Sequence, residues 1–170
     1  MESRHQGRRR HASNEGRSLC LGFTTTELLV AVTIFGIALA ASIPGFRSML
    51  QGYQHKNAVD LVAGRLFLTR QLAVQGKVSH VVTLDTGAGQ ISIFADDDGD
   101  GVFESGEQSY GPYLLGENIS LVNVNLTNNQ ISFFPNGTAS ETGDLQVADD
   151  WGRSKTIRVS SITGSTEVLP

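Results

Sequence analysis

An α+β fold, in which a long N-terminal helix packs on an antiparallel β-sheet domain, is predicted by three features of the 170-residue sequence. Positions 23–43 are apolar almost without interruption. Apolar residues then recur at steps of three and four to about residue 74, the period of one helix face. Beyond Lys77 the period falls to two, with Gly, Asn and Asp at the breaks, as in strands joined by turns. The length suits one domain of ordinary size with an N-terminal appendage.

Residues 1–22 carry five arginines (Arg4, Arg8, Arg9, Arg10, Arg17) against Glu2 and Glu15. The remaining chain holds eight basic and fifteen acidic side chains, a formal charge of −7. Such an acidic body opposes a general grip on nucleic acid, which requires clustered Lys and Arg to displace counterions from phosphates. Cys20 is the only cysteine and lies in this basic leader, so a chain cut behind it would have no thiol chemistry.

Positions 23–43 (FTTTELLVAVTIFGIALAASI) contain a single ionisable group, Glu27, and as a helix would extend about 31 Å, enough to cross a bilayer. Because Lys and Arg are retained on the cytoplasmic side, the leader stays inside and everything after Pro44 is exported. A carboxylate in such a segment is costly and persists only with a partner or a function. The residues LGFTTTELLV resemble the prepilin cleavage motif, in which a peptidase cuts after glycine, the new N-terminal phenylalanine is methylated, and glutamate stands fifth. Gly22, Phe23 and Glu27 occupy these three places, with Thr25 and Thr26 where an apolar pair is usual. The resemblance implies a prepilin peptidase and N-methyltransferase as partner, a positive amine on Phe23, and Glu27 of a neighbouring subunit neutralising it inside a filament. Gly36 and Pro44 fall where pilins carry helix-loosening residues, and a proline within a helix removes one donor and bends it. A secretory signal cut before Ala41 and a plain single-span anchor are the alternatives. Neither accounts for the Gly-Phe-x-x-x-Glu spacing.

Over residues 44–76 the helix continues, with Phe46, Met49, Leu50, Tyr53, Val59, Val62, Leu66 and Ala73 on one face and residues 49–74 packing on the subunit's own domain. Gly76 is a plausible stop in the left-handed conformation. Residues 77–170 form the β-rich periplasmic domain, with candidate strands at 78–84, 90–95, 119–125, 130–134 and 155–162 and a hairpin turn at 86–89. Trp151, Phe133 and Phe134 are read as core residues.

The order of parts resembles the GspH/FimT pseudopilin family over nearly the whole chain. The resemblance is carried by FRSMLQGYQHKNAVDLVAGRLFLTRQLAVQGK, an acidic turn followed by Gly106-Glu107, ISFFPNGT and IRVSSITGSTEV. It implies a minor pseudopilin of a type II secretion system in the bacterial inner membrane. Other pilins or pseudopilins and an inner-membrane assembly platform would be its partners. A minor pilin of a type IV pilus, acting in fibre assembly, adhesion or DNA uptake, is the close alternative, and a non-assembling anchored binding domain is a further one. Some relatives bind DNA through arginines flanking a glycine near the C-terminus. Here Ser165-Thr166-Glu167 follow Gly164, which argues against DNA binding.

Residues 96–107 (DDDGDGVFESGE) fit a twelve-residue calcium loop, with oxygens at the first, third and fifth places, glycine at the sixth and glutamate at the twelfth. Asp96, Asp98, Asp100, the Val102 carbonyl, Glu104 through water, and Glu107 would be the ligands of a structural Ca2+. The preceding segment reads as a strand, where an EF-hand has a helix. His5, His11, His55 and His80 show no metal-ligand spacing and are read as satisfied or exposed. No G-x-S-x-G elbow or H-E-x-x-H helix supports an enzyme. The sequons at Asn118, Asn125 and Asn136 read as turn and strand residues.

Overall fold

A computed structural model describes residues 22–170. Residues 1–21 of the leader, with Cys20, His5 and His11, therefore lie outside the described residues. One helix, α1 (Thr25–Gly76), precedes eight strands: β1 (Ser79–Asp85), β2 (Gln90–Asp96), β3 (Ser109–Leu114), β4 (Ile119–Val122), β5 (Gln130–Phe133), β6 (Gly143–Asp149), β7 (Ser154–Val159) and β8 (Thr166–Leu169). The chain divides into two compact units, Met1–Ile43 and Pro44–Pro170.

In the first unit α1 is capped by Thr24, whose Oγ1 accepts from the Glu27 N–H at 3.2 Å and whose carbonyl accepts from Leu28 N–H at 3.1 Å. Thr24-x-x-Glu27 is thus a capping-box sequence, and it places the Glu27 carboxylate in the first turn, where the helix dipole favours it. The hydroxyls in the apolar stretch bond back along the helix, Thr33 to Leu29 O (2.8 Å) and Ser42 to Ala38 O (2.9 Å), which removes the cost of unpaired donors.

In the second unit α1 and two antiparallel four-stranded sheets share one apolar cluster. The sheet orders are β3-β2-β1-β5 and β4-β6-β7-β8. Ala58, Val59, Val62, Leu66 and Ala73 from α1 meet Val82, Leu84, Ile91, Ile93, Ile131 and Phe133 from the first sheet and Leu145, Val147, Ile157 and Val159 from the second. The alternating burial of β6 places Leu145 and Val147 inward and Asp144 and Gln146 outward, the period-two pattern of a half-buried strand.

Several details depart from expectation. The helix does end at Gly76, but the left-handed residue is Lys77 (φ 55°), which follows it. The α1 face buried in the domain begins at His55, whereas Phe46, Met49, Leu50 and Tyr53 are exposed, as is Val74. Strands β3, β6 and β8 join the expected five, and the expected third and fifth are shorter, because Asn123 turns the chain at φ 49° and residues 160–165 form a turn. Phe133 is buried, but Phe134 and Trp151 are exposed. The hairpin at 86–89 is present, its turn held by Asp85 Oδ1 accepting from the N–H groups of Gly87 (3.0 Å) and Ala88 (2.9 Å).

Candidate functional site

Two sets of residues singled out by sequence lie at separate places in the chain. Around the N-terminus, Gly22 and Phe23 precede the first helical residue as non-helical backbone, Phe23 being 79 % exposed. Glu27 stands two residues inside the helix. The following Leu28, Leu29, Val30, Val32, Ile34, Phe35, Ile37 and Leu39 are 58–69 % exposed. α1 is long and apolar enough to cross a membrane. A Cβ placed on Gly36 would meet nothing within 4 Å, so within this unit no packing requires a glycine there. Pro44 lies inside the helix. The capping role of Thr24 was legible in Thr-x-x-Glu but is obscured by the stronger cleavage spacing.

The acidic loop joins β2 to β3, so it is the turn of a hairpin and is flanked by strands on both sides. Its carboxylates organise its backbone. Asp96 Oδ1 accepts from Gly99 N–H (3.0 Å), Asp98 Oδ1 from Asp100 N–H (3.2 Å) and Asp100 Oδ1 from Val102 N–H (2.7 Å). Glu107 reaches back to accept from Asp97 N–H (3.1 Å) and Glu104 N–H (2.9 Å). Gly99 and Gly101 have φ of 83° and 76°, which glycine adopts without strain. The side-chain ligands come together as two groups sharing Asp98. One is Asp96, Asp98 and Glu107, the other Asp98, Asp100 and Glu104, with one oxygen of each residue within 4.8 Å of the others. Two oxygens on one calcium at about 2.3–2.6 Å stand no farther apart than about 5 Å, so each group of three has the spacing of ligands on one cation, whereas the five carboxylates do not form a single such group. Val102 and Phe103 fold over the sheet face opposite the core. Phe103 packs edge-on to Phe94 at 5.6 Å between ring centroids, and Phe94 and Val81 are buried on that face.

His80 is buried and its Nδ1 is 3.0 Å from Val78 O. His55 is neither exposed nor satisfied. It is buried with both ring nitrogens unpaired, Nδ1 lying 3.8 Å from Asp149 Oδ2, and Arg153 Nη1 lies 3.9 Å from the same oxygen. Sequence spacing could not bring out this group, because its members are almost a hundred residues apart. On the surface Arg158 grips Asp144 in a two-pronged bond, Nε to Oδ1 at 2.7 Å and Nη2 to Oδ2 at 2.8 Å. That hydrogen bond holds the Asp144 carboxyl below the usual carboxylate range and raises Arg158.

The ISFFPNGT and SSITGST segments meet at Arg70. Its Nε donates to Gly137 O at 2.9 Å, and Gly164 lies so close that a Cβ there would overlap the Gly137 carbonyl oxygen. With φ values of 82° and 57°, both glycines are also fixed by backbone conformation.

A family model described as type II transport protein GspH matches residues 58–164. The match lies wholly beyond the N-terminal motif, so it is independent of the cleavage spacing. No curated protein sequence matches the chain significantly. Among solved structures, the minor pseudopilin EpsH of the Vibrio cholerae type 2 secretion system is similar, with a TM-score of 0.54 and 13% identity, over 68% of this chain and 96% of that one. The type IV minor pilin FimU of Pseudomonas aeruginosa gives a TM-score of 0.56 and 12% identity, over 72% of this chain and 92% of that one. At such identities the likeness shows the fold, a long N-terminal helix packed on antiparallel sheets. With more than half of its length matched by the family model, the chain belongs to the GspH family of type II transport proteins.

Proposed function

We propose that this chain is a minor pseudopilin of a type II secretion system, a structural subunit and not an enzyme. It is anchored in the inner membrane by residues 23–43, with its N-terminus cytoplasmic and residues 77–170 in the periplasm. The observation that carries this is α1, whose first part exposes a continuous apolar surface directly after a Gly-Phe-x-x-x-Glu sequence and whose last part belongs to a GspH-family domain. Prepilin peptidase cuts between Gly22 and Phe23 and methylates Phe23. Glu27 then neutralises the Phe23 amine of a neighbouring subunit, while Gly36 and Pro44 let the helix adapt to filament packing. The assembled subunit helps a periplasmic pseudopilus move folded proteins outward, in contact with other pseudopilins and the inner-membrane platform. A structural Ca2+ held by Asp96, Asp98, Asp100 and Glu107, with the Val102 carbonyl and Glu104, relieves the repulsion of the crowded carboxylates.

A minor pilin of a type IV pilus is the second reading, favoured by the FimU likeness, whose TM-score equals that of EpsH within a few hundredths. The intact mass and N-terminal sequence of the protein extracted from membranes test the common part. A chain beginning at N-methylated Phe23 supports filament processing; a start at Ala41 or an uncut leader overturns it. Co-purification with either a secretion platform or a major pilin then separates the two machines.

A further inference from the structure

Trp151 is the only tryptophan in the chain and is 41 % exposed in the turn between β6 and β7. That turn is built, not loose. Asp149 Oδ1 accepts from the N–H groups of Trp151 (3.1 Å) and Arg153 (2.8 Å), and Asp149 N–H donates to Arg153 O at 3.0 Å. The turn is also fastened to α1, since Arg153 Nη2 donates to Ser48 O at 3.4 Å. A Cβ on Gly52 would lie 3.3 Å from Arg153 Nη1, so the glycine leaves room for the guanidinium.

Ser48 follows Ile43 by five residues, and five residues of any conformation reach at most about 18 Å. Ser48, to which the turn is fastened, is therefore tied by the chain to within about 18 Å of Ile43. Tyr53 and Arg47 are exposed on the same stretch of α1, and Arg47 has no acidic partner among the described residues. Tryptophan, tyrosine and arginine beside the end of a membrane span are the composition of an interfacial anchor, with amphipathic rings at headgroup depth and guanidinium groups against phosphates. Asp150 is the one exposed acid in the turn. Exposed Glu117 lies beside the turn as well, since the Asn118 carbonyl that follows it accepts from Asp150 N–H at 3.2 Å, so the arginine has to outweigh two acids at an anionic surface.

We propose that the 149–153 turn is a membrane-docking element. In the anchored subunit, before assembly, Trp151 enters the headgroup layer of the periplasmic leaflet, with Arg47 against lipid phosphates, while Arg153 keeps the turn fastened to α1. Docking holds the domain down on the bilayer until assembly lifts it away. This rests on the membrane-anchor reading, and the test separates the two.

Full-length protein is reconstituted into vesicles of phosphatidylcholine and phosphatidylglycerol with bromines near the carboxyl end of the acyl chains. Trp151 emission is then read directly. The expected result is quenching by the lipid bromines, shielding from aqueous acrylamide, and weaker bromine quenching in Arg47→Glu. A control carrying Trp151→Phe and Ile162→Trp, where residue 162 is 83 % exposed, should be quenched by acrylamide and not by lipid. Protein that floats with the vesicles while Trp151 behaves like the control overturns docking and leaves the anchor intact. Protein that does not float overturns both. Shielding from acrylamide without bromine quenching overturns the lipid proposal and assigns Trp151 to a protein contact between subunits.

Discussion

α1 uses apolar residues in two ways. Between Leu28 and Tyr53 its large apolar side chains are exposed, whereas from His55 to Ala73 a narrow stripe of smaller side chains is buried almost completely. None of these large apolar side chains belongs to the buried core of the subunit. Their hydrophobicity addresses something outside it, first a bilayer and then, in the proposed function, other helices. The stripe from 55 to 73 specifies the subunit's own core, and the exposed back of the helix there carries Lys56, Asn57, Asp60 and Gln71 together with Phe67. Hydrophobicity locates the membrane element; periodicity locates the core.

This contrast can be broken by substitution. The largest effect is expected for Glu27→Ala. Leaving a neighbour's amine unpaired costs about 3–5 kcal/mol, so incorporation into filaments should fall on the order of a hundredfold or more while the folded domain melts unchanged. Quantifying the variant in sheared filaments and in membranes checks this; normal incorporation would remove the assembly role of Glu27. Next, Leu66→Ala should lower unfolding stability by about 2–5 kcal/mol, because Leu66 is fully buried in the core. Leu29→Ala, equally apolar but exposed, should leave the denaturation midpoint of the domain where it is, and a matching loss in both would erase the distinction between the two stretches.

Calcium at a hundred times its dissociation constant should stabilise the domain by about 2.7 kcal/mol. Asp98→Asn combined with Glu107→Gln should abolish that increment, since Asp98 belongs to both carboxylate groups. Melting temperatures that do not change between chelator and saturating calcium would discard the ion. The smallest effect belongs to the exposed Asp144–Arg158 pair. The Asp144 pKa is depressed in the folded state, so its contribution is present above the ordinary carboxylate range and is lost as pH falls through the lowered value. Asp144→Asn should slightly flatten the acid limb of the stability profile, less so at high salt because solvent screens the pair.

Much of this was legible in the sequence, unevenly. The helix, its end and five strands follow from period and punctuation alone. β6 was legible too, since Leu145 and Val147 alternate with Asp144 and Gln146, but the Gly-Asp and Ala-Asp-Asp on its flanks read as turn. β3 hides behind Gly111-Pro112, and β8 is a short edge strand with little to bury. The register of the helix stripe was the harder matter. Phe46, Met49, Leu50 and Tyr53 continue the same spacing as Val59 and Val62, and nothing local reveals that burial begins at a histidine. Residue type alone places Trp151 in the core, whereas its position depends on Asp149 shaping a turn that no periodicity encodes. The spacing of residues 96–107 reads as a twelve-residue calcium loop after a strand; the division of its carboxylates into two groups around Asp98 is a three-dimensional fact that no spacing encodes.

The Arg70 junction bears on the order in which the domain is completed. Its hydrogen bond closes a 67-residue separation, and Gly164 must also arrive, from the turn that leads into the final strand. Such distant contacts form late, after the chain entropy they consume has been offset by nearer ones. In the proposed topology Gly164 crosses the membrane after Arg70 and Gly137. The domain thus emerges on the far side with its clasp still open, and arrival of the 160–165 turn is the event that fastens it. A truncation ending before Gly164 would be exported yet remain unfastened, exposed to periplasmic proteases for as long as it lasts.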